Sequence, residues 1–422
     1  MREAPFEGSQ NGILRLMEAE RRCEQCGQMI PGGERKCPAC GDETPLWSAS
    51  RNELLLLSLA ALILLFIATT FSVNAYHAKE HSLAQQWYSS GERDLAAERA
   101  EAAIQDFRTA LVYSHNEPLT ELQLAHALIA AGHFHEARAY LVGLWEREPG
   151  NGTVNMDLAQ LAARSGTTQQ AIQYYHDALY GQWEENPAEH RLLAGLDLAE
   201  FLIKVGQNAQ AQAELIALTA GLPNDPLLAT RVGSLLMQTG EYEHAAPLFR
   251  QALRLNPNYP PALEGAGQAS FELRDYPSAR RYLSHAKRLG ALSAQSAQRL
   301  EIANLIQQSD PLAPHLRGQE RALRALAAFN QSLQRLSQCA AARGVSFDDA
   351  SQQSDLQQLH TQAAALQPKV NVRNLARDSD LSLQTTDMAF QIEQATERAC
   401  GGPKGLDLAL LLLSRIQEGA TE

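Results

Sequence analysis

The sequence has no run of lysine and arginine, and its 48 acidic residues outnumber its 36 basic ones, which gives a net charge of −12. Proteins that bind nucleic acid need basic surface to displace counterions from the phosphates, so we expect no nucleic-acid partner. Aromatic residues make up only 6% of the chain, and alanine, leucine and glutamine dominate it, a composition typical of helix-rich proteins. The composition therefore favours an all-α protein.

Sequence signatures of catalysis are also missing. The chain has no nucleophile elbow, no dinucleotide fingerprint and no paired-carboxylate signature, and the segment around Lys404 lacks the glycine spacing of a phosphate loop. His133 and His135 lie two residues apart without a third ligand nearby in the sequence, so we expect them to be surface residues. We therefore predict that the protein is not an enzyme and has no small-molecule substrate.

Cysteine is scarce, and four of the six cysteines lie between residues 23 and 40. Cys23 and Cys26 form one C-x2-C pair, and Cys37 and Cys40 form a second, with a glycine after each pair. Two such pairs direct four thiolates at one ion, the closed arrangement of structural zinc, and the segment resembles the short zinc ribbons of many bacterial proteins. So small a module has almost no core, so Zn²⁺ is expected to supply most of its folding free energy, on the order of 10 kcal/mol. It serves either as a passive cap or as a small docking surface, and disulfides are the alternative if this side faces an oxidising compartment.

An apolar run of membrane length follows the cysteines. Residues 54–73 contain no charged residue, proline or glycine, and as a helix they would cover about 30 Å, the thickness of a hydrocarbon core. A buried core helix and a cleaved signal peptide are the alternatives. Three Lys or Arg residues lie near the N-terminal side of the run and two near the other side, which favours a cytoplasmic N-terminus. Because four free thiols persist best in a reducing compartment, we predict a single-pass protein with a cytoplasmic N-terminus and a periplasmic C-terminal part.

From Ala84 onward the sequence repeats every 34 residues, the length of one helix–turn–helix repeat. Alanine recurs at position 20 of every unit and a large apolar or aromatic residue at position 24. The clearest unit, PLLATRVGSLLMQTGEYEHAAPLFRQALRLNPNY (residues 226–259), resembles the tetratricopeptide repeat, which implies an α-α superhelix of stacked helix pairs. A six-residue insertion, 186–191, interrupts the register. The six units are 84–117, 118–151, 152–185, 192–225, 226–259 and 260–293.

In the tetratricopeptide family, the first helices of the units line a concave groove that binds partner proteins. The family's groove positions, carried over to this chain, imply a surface for extended or helical peptide segments. No asparagine stands at position 9 of any unit, which argues against capture of a terminal carboxylate as in the chaperone-binding subclass. Two alternatives stay open: some of these side chains pack against adjacent helices, or the chain's own C-terminal region fills the groove. The implied groove residues and close neighbours are Tyr88, Glu92, Leu122, His126, Ile129, Met156, Gln160, Arg164, Leu196, Glu200, Lys204, Met237, Gln238, Phe271 and Glu272.

The repeat pattern fades after residue 293, where a capping helix and a turn-rich linker are expected. Cys339 and Cys400 each end a predicted helix. A disulfide between them would close a loop of about 60 residues and add about 4 kcal/mol of stability, provided that the region lies outside the cytoplasm; two separate buried thiols are the alternative. The predicted C-terminal helices are 319–342, 352–366, 379–399 and 404–417.

Taken together, these modules predict a membrane-anchored scaffold or adaptor of the bacterial cell envelope that binds other proteins. The alternative is a regulatory protein with cytosolic repeats, similar to the lipopolysaccharide assembly protein B family, in which the metal module follows the repeats and shares their compartment. An enzyme with its site in the C-terminal domain is the third hypothesis. The expected divisions are 1–22 (flexible segment), 23–41 (zinc ribbon), 54–73 (membrane helix), 84–293 (six repeats), 294–318 (capping helix and linker) and 319–422 (helical C-terminal domain).

Overall fold

A computed structural model of the chain describes residues 20–32, 34–43, 51–114, 116–347 and 354–419. Within these residues almost all regular structure is helical, and the strands are two short segments. The predicted fold class, an all-α protein built from helical repeats, is confirmed.

Two compact units make up the chain, residues 1–131 and residues 132–422. The predicted flexible segment 1–22 lies outside the described residues, apart from its last three. The first unit contains a two-stranded antiparallel hairpin followed by three helices. Its elements are β1 (Arg21–Arg22), β2 (Met29–Ile30), α1 (Arg51–Ala96), α2 (Ala100–Ser114) and α3 (Pro118–Ala131).

Helix α1 joins the apolar run to the first repeat without interruption. Its 46 residues correspond to about 69 Å at 1.5 Å per residue. Every side chain from Leu54 to Val73 is exposed, on all sides of the helix. Further along the same helix, Ala84 is buried and Tyr88 packs edge-on against Phe107 of α2, with ring centroids 5.7 Å apart. The apolar run and the first repeat therefore share one continuous element.

The regular elements described in the second unit are all helices, joined by turns and short loops. Helices α4 to α12 belong to the repeats, and α13 to α18 follow them. They are α4 (Phe134–Arg147), α5 (Gly152–Arg164), α6 (Thr168–Leu179), α7 (Pro187–Lys204), α8 (Asn208–Thr219), α9 (Pro226–Thr239), α10 (Tyr242–Leu255), α11 (Pro260–Glu272), α12 (Tyr276–Arg288), α13 (Ala294–Ser309), α14 (Gly318–Arg343), α15 (Asp355–Leu366), α16 (Val372–Arg377), α17 (Ser379–Cys400) and α18 (Gly405–Gly419).

The recurrent small and large residues of the repeats form the packing contacts between helices. Ala245 at position 20 and Phe249 at position 24 are fully buried. The Phe249 ring lies against Gly233 of α9 and Gly265 of α11, where a Cβ at Gly233 would come within 3.0 Å of the ring and one at Gly265 would collide with it. Close packing of these helices on one aromatic side chain therefore requires glycine at Gly265 and leaves little room for a larger residue at Gly233.

The inserted residues 186–191 lengthen α7, the first helix of its unit, at the N-terminal end. Helix α7 begins at Pro187, where the fixed φ of proline suits the first helical position. Just before this helix, Trp183 stacks on His190 with ring centroids 4.6 Å apart, and its indole nitrogen donates to the Ala178 carbonyl at 3.0 Å. The insertion therefore lengthens the repeat and packs on it.

The C-terminal helices are joined to the last repeat by a shared core. Tyr276 of α12 is buried together with Ile306 of α13 and Phe390 of α17. The Arg274 guanidinium, in the last repeat, donates to the Arg415 carbonyl in α18 at 2.9 Å. These helices cover the end of the repeat array, which has no further unit to pack on it.

All four predicted C-terminal helices are confirmed, as α14, α15, α17 and α18, with bounds within three residues of those expected. The short 3₁₀ segment Gln367–Lys369 and helix α16 were not expected. They are too short to show a helical period in the sequence.

Candidate functional site

The four N-terminal cysteines converge beside the β-hairpin. Their Sγ atoms all lie within 4.8 Å of one another, with 3.6 Å between Cys23 and Cys40 and 3.5 Å between Cys26 and Cys37. Disulfide sulfurs lie about 2 Å apart, so these pairs are not bonded. A tetrahedron of Zn–S bonds of about 2.3 Å has edges of roughly 3.8 Å. The cluster is therefore compatible with one metal ion.

Both halves of the cluster use the same backbone turn. The Gly27 amide donates to the Cys23 carbonyl, and the Gly41 amide donates to the Cys37 carbonyl, each at 2.9 Å. The two glycines have φ values of 77° and 74°, a conformation that glycine adopts without steric cost. Backbone amides, led by that of Ala39, lower the pKa of Cys37 to about 7, which favours the thiolate that binds metals. At Cys40 the amide of Asp42 acts in the same direction, but the neighbouring thiols outweigh it and raise the pKa of Cys40 to about 12.

The described residues contain no second cluster of this kind. Among them, the four cysteines are the one group of three or more His, Cys, Asp or Glu side chains close enough to hold one ion. His133 and His135 are exposed. A metal site elsewhere in the described part of the chain is therefore not indicated.

In the second unit, the first helices of the repeats are joined by polar contacts across their exposed surface. We call the surface formed by α5, α7, α9, α11 and α13 the groove face. Gln160 of α5 donates to Asp197 of α7 at 3.4 Å. Arg231 of α9 donates to Glu200 at 2.7 Å and lies 3.7 Å from Asp197. Burial, followed by the neighbouring Glu200 carboxylate, raises the pKa of Asp197.

A second set of polar contacts joins α11 to α13. The Glu264 carboxylate accepts hydrogen bonds from both the hydroxyl and the amide of Ser293. Burial opposes ionisation of Glu264, but these serine hydrogen bonds outweigh it and lower the pKa of Glu264. The cross-helix contacts are Ser293–Glu264, Gln268–Ser296 at 2.7 Å and Arg299–Glu272 at 2.6 Å.

Most of the residues carried over from the family's groove positions lie at the surface or are half-buried. In the second unit Gln160, Arg164, Glu200, Lys204 and Gln238 are exposed, and Met156, Met237 and Glu272 are half-buried. In the first unit Glu92 is exposed, and Tyr88, Leu122, His126 and Ile129 are half-buried.

Two of the carried-over residues lie in packed surroundings instead. Leu196 is fully buried in the core of the repeats, so its side chain supports the groove face from beneath. Phe271 packs edge-on against Tyr276, with ring centroids 5.2 Å apart, in the core shared with the C-terminal helices. Leu196 and Phe271 therefore pack against adjacent helices, which is one of the alternatives that the sequence left open for the groove residues.

Two charged residues that connect the helices of the groove face, Asp197 and Arg231, are not among the residues carried over from the family's groove positions. Both stand at position 6 of their units, as Asp157 does in the unit before them. Positions 6, 9 and 13 lie three, four and seven residues apart and share one helix face. A charged residue at position 6 in three successive units is a signal in the sequence that could have identified them.

Cys339 and Cys400 are joined by a disulfide between the ends of α14 and α17, with their Cα atoms 5.9 Å apart. One turn earlier in α14, the Arg335 guanidinium lies 3.2 Å from Glu393 of α17 and 3.3 Å from Asp407 of α18. Arg335 also donates to the Gly401 carbonyl, next to the disulfide, at 3.1 Å. The disulfide and Arg335 thus lie together where these helices meet.

Glu393 is fully buried in this cluster and accepts a hydrogen bond from the Ser332 hydroxyl at 2.9 Å. Burial removes hydration from the carboxylate and raises the pKa of Glu393 to about 7. The Arg335 guanidinium does not offset this loss, because it also interacts with the nearby Asp407 carboxylate. The side chains of the cluster bond to one another, as in a structural network.

One helix among the described residues is long and apolar enough to cross a membrane, the segment Leu54–Ala96. None of its apolar window is buried within the protein, whereas the core helix of a soluble protein would be mostly covered. Length and composition alone make this segment a candidate span.

Comparison with known proteins identifies the repeats. A tetratricopeptide repeat family profile matches residues 122–187, 196–260 and 230–294, so the repeats in this part of the chain are of the tetratricopeptide type, as the sequence predicted. No curated protein matches the chain.

Several solved structures of repeat proteins are similar to about half of the chain. PilF of Pseudomonas aeruginosa has 16% identity and a TM-score of 0.39, over 50% of this chain and 93% of its own. The C-terminal part of a tetratricopeptide repeat protein from Cytophaga hutchinsonii has 16% identity and a TM-score of 0.41, over 58% of this chain and 93% of its own. YrrB, described as having an unusual peptide-binding site, has 18% identity and a TM-score of 0.35, over 43% of this chain and 90% of its own.

Proposed function

We propose that this protein is a membrane-anchored scaffold or adaptor of the bacterial cell envelope, which binds peptide or helical segments of partner proteins on its tetratricopeptide repeats. The observation that carries the proposal is the groove face, where Arg164, Glu200 and Lys204 stay accessible on neighbouring first helices. Side chains so placed can contact a segment that runs across several helices. Proteins built from such repeats are generally non-catalytic interaction scaffolds, and we extend this to the present chain.

The membrane anchor in this proposal is the apolar part of α1, residues 54–73. Its side chains are exposed all round the helix, and removing such a surface from water stabilises the inserted state by about 25 cal/mol per Å². Because α1 continues directly into the first repeat, the anchor would hold that repeat close to the membrane surface.

The cysteines support a topology with the N-terminus in the cytoplasm and the repeats in the periplasm. Four unbonded thiols suit a reducing compartment, and the Cys339–Cys400 disulfide suits an oxidising one. The regulatory alternative, with repeats in the cytosol, would place this disulfide where thiols are kept reduced. The extracytoplasmic arrangement is therefore the one we favour.

Cys23, Cys26, Cys37 and Cys40 would hold a structural Zn²⁺ ion in this protein. Ile30 is the one fully buried apolar side chain beside the cysteines in the described part of this module. So small a cluster cannot stabilise a fold by burial alone. The ion would supply the missing folding free energy, and no open coordination position is left for catalysis.

Photo-crosslinking in intact cells tests the binding function. A photoreactive amino acid replaces Lys204 on the groove face or, as the control, Gln210, which is exposed on the second helix α8. The proposal predicts a discrete protein adduct from Lys204 and none of that size from Gln210. Equal adducts from both positions, or none from either, would contradict a partner bound on the groove face.

A further inference from the structure

The polar contacts across the groove face are interrupted between α9 and α11. Arg231 of α9 turns towards α7, where it bonds Glu200, and Glu264 and Glu272 of α11 bond residues of α13. Among the described residues, no side-chain hydrogen bond or ion pair joins α9 to α11 across this face. The two helices therefore leave a gap in a surface that is elsewhere closed by side chains.

The gap arises from the residue at position 6. The three preceding units carry Asp157, Asp197 and Arg231 there, and the last unit carries Gly265. Glycine is required because the Phe249 ring already occupies the space of a Cβ at this position. The last unit thus presents backbone where the others present a charged side chain.

A cavity of about 410 Å³ opens at this place, within the range of about 300–1,000 Å³ typical of ligand pockets. We call it the Gly265 pocket. Its apolar walls are formed by Met237, Tyr242 and Pro261, and Phe249 lies beneath Gly265. The remaining lining residues are Ser234, Gln238, Glu264, Gln268, Glu272, Gln295 and Arg299.

The charged groups around the Gly265 pocket are hydrogen-bonded or ion-paired within its wall. Glu264 bonds Ser293, and Glu272 bonds Arg299 at 2.6 Å. Two side-chain amides at the rim, Gln238 and Gln295, make no hydrogen bond to any described residue. An amide carries both donors and an acceptor and so matches the groups of a peptide backbone. The pocket therefore offers apolar contact and backbone recognition, and both of its carboxylates already have hydrogen-bond partners, Ser293 for Glu264 and Arg299 for Glu272.

We propose that the Gly265 pocket takes one uncharged aromatic or long apolar side chain of an extended partner segment, whose backbone is bound by Gln238 and Gln295. This inference rests on the proposed function and specifies the chemistry of the partner. A charged side chain would lose its hydration and would have to displace Ser293 from Glu264, or break the Glu272–Arg299 pair, before it gained an ion-pair partner in the pocket. One anchor residue in a pocket of this size can dominate the binding free energy of an interface.

Fluorescence anisotropy of labelled peptides, measured with the full chain in lipid nanodiscs, tests this proposal. The probes are ten-residue Gly/Ser peptides that differ only in one central residue: Phe, Leu, Met, Lys or Glu. The pocket-filling variant is Ser234→Tyr on α9, which projects a ring into the cavity. The control is Gln210→Tyr, on the exposed surface of α8. The melting temperature of each variant is compared with that of the parent to confirm folding.

The expected result is binding of the Phe, Leu and Met peptides at least tenfold tighter than the Lys and Glu peptides. Ser234→Tyr weakens this binding at least tenfold, and Gln210→Tyr leaves it within twofold. The pocket assignment is overturned if peptides with a charged central residue bind more tightly, or if Ser234→Tyr and Gln210→Tyr weaken binding equally. Either result would leave peptide binding by the repeats intact. If none of the peptides binds, the proposal for the pocket fails, and crosslinking at Lys204 then decides whether the groove face binds partners at all.

A second variant keeps the test independent of any local distortion at Ser234. Met237→Ala enlarges the cavity on the same helix and removes apolar contact without adding bulk. The proposal expects weaker binding of the Leu and Met peptides, with the largest central residue, Phe, least affected. A uniform loss for every peptide, including those with Lys and Glu, would contradict an anchor in the Gly265 pocket.

Discussion

The pH dependence of the C-terminal domain follows from Glu393. In the folded protein its pKa is about 7, against an ordinary value of 4.5, because burial disfavours the charged form. The folded state therefore holds the proton more tightly than the unfolded state. The stability linked to this group is fully present below about pH 4.5 and is lost as pH rises towards 7.

The expected loss of stability between pH 5 and pH 8 is about 2–3 kcal/mol, because the pKa of Glu393 is about 7 in the folded protein and 4.5 in the unfolded protein. The substitution Glu393→Gln keeps the hydrogen bond from Ser332 within reach and removes the titration. It should abolish this dependence and make the domain more stable than the parent at pH 8.

Hydrogen exchange of the amides in α17 (Ser379–Cys400) measures this effect, after correction for the intrinsic pH dependence of exchange. Glu397→Gln is the matched control, since Glu397 lies one turn away on the same helix, half-exposed, and pairs with Arg415 at 3.0 Å. The control should keep the pH dependence of the parent. Opening free energies that rise with pH in the parent would mean that Arg335 keeps Glu393 ionised, which refutes the reasoning.

Three further predictions concern the metal module, the disulfide and the repeat core. Cys37→Ser should abolish the one-to-one zinc content of the purified protein, measured by elemental analysis; retained stoichiometric zinc would contradict the four-cysteine site. Cys400→Ser should destabilise the C-terminal helices by about 4 kcal/mol, since the disulfide closes a loop with a sequence separation of 61 residues, and equal hydrogen exchange in parent and variant would contradict this. Phe249→Ala should cost about 3–5 kcal/mol by opening a cavity in the repeats, seen as a lower melting temperature, whereas the exposed Phe134→Ala should have little effect; equal shifts would contradict the packing described for Phe249.

The repeats could be predicted because their packing residues recur in register. Alanine at position 20 and a large residue at position 24 are needed in every unit for two helices to pack closely. The same packing contact is therefore visible several times in the sequence. Ala245 and Phe249, which are both fully buried, are one example. The insertion at the start of α7 does not disturb this pattern. It lengthens one helix at its N-terminal end and leaves the packing positions of the unit unchanged.

The groove face was less predictable, because exposure depends on the spacing of neighbouring helices as well as on position within a unit. Leu196 at position 5 is buried against adjacent helices, whereas Asp197 at position 6 faces its neighbours across the surface. A shift of one residue turns a side chain by about 100° around a helix. The Gly265 pocket could not be foreseen, since it depends on where the Phe249 ring lies.

The most direct test of the central claim, a scaffold whose repeats lie outside the cytoplasm, is maleimide labelling in intact cells. A membrane-impermeant maleimide is applied with and without an impermeant reductant, and mass spectrometry identifies the labelled cysteines. We predict that Cys339 and Cys400 are labelled only after reduction and that Cys26 and Cys40 stay unlabelled. Labelling of Cys339 and Cys400 only after lysis, without need of a reductant, would contradict this account and support the regulatory alternative with repeats in the cytosol.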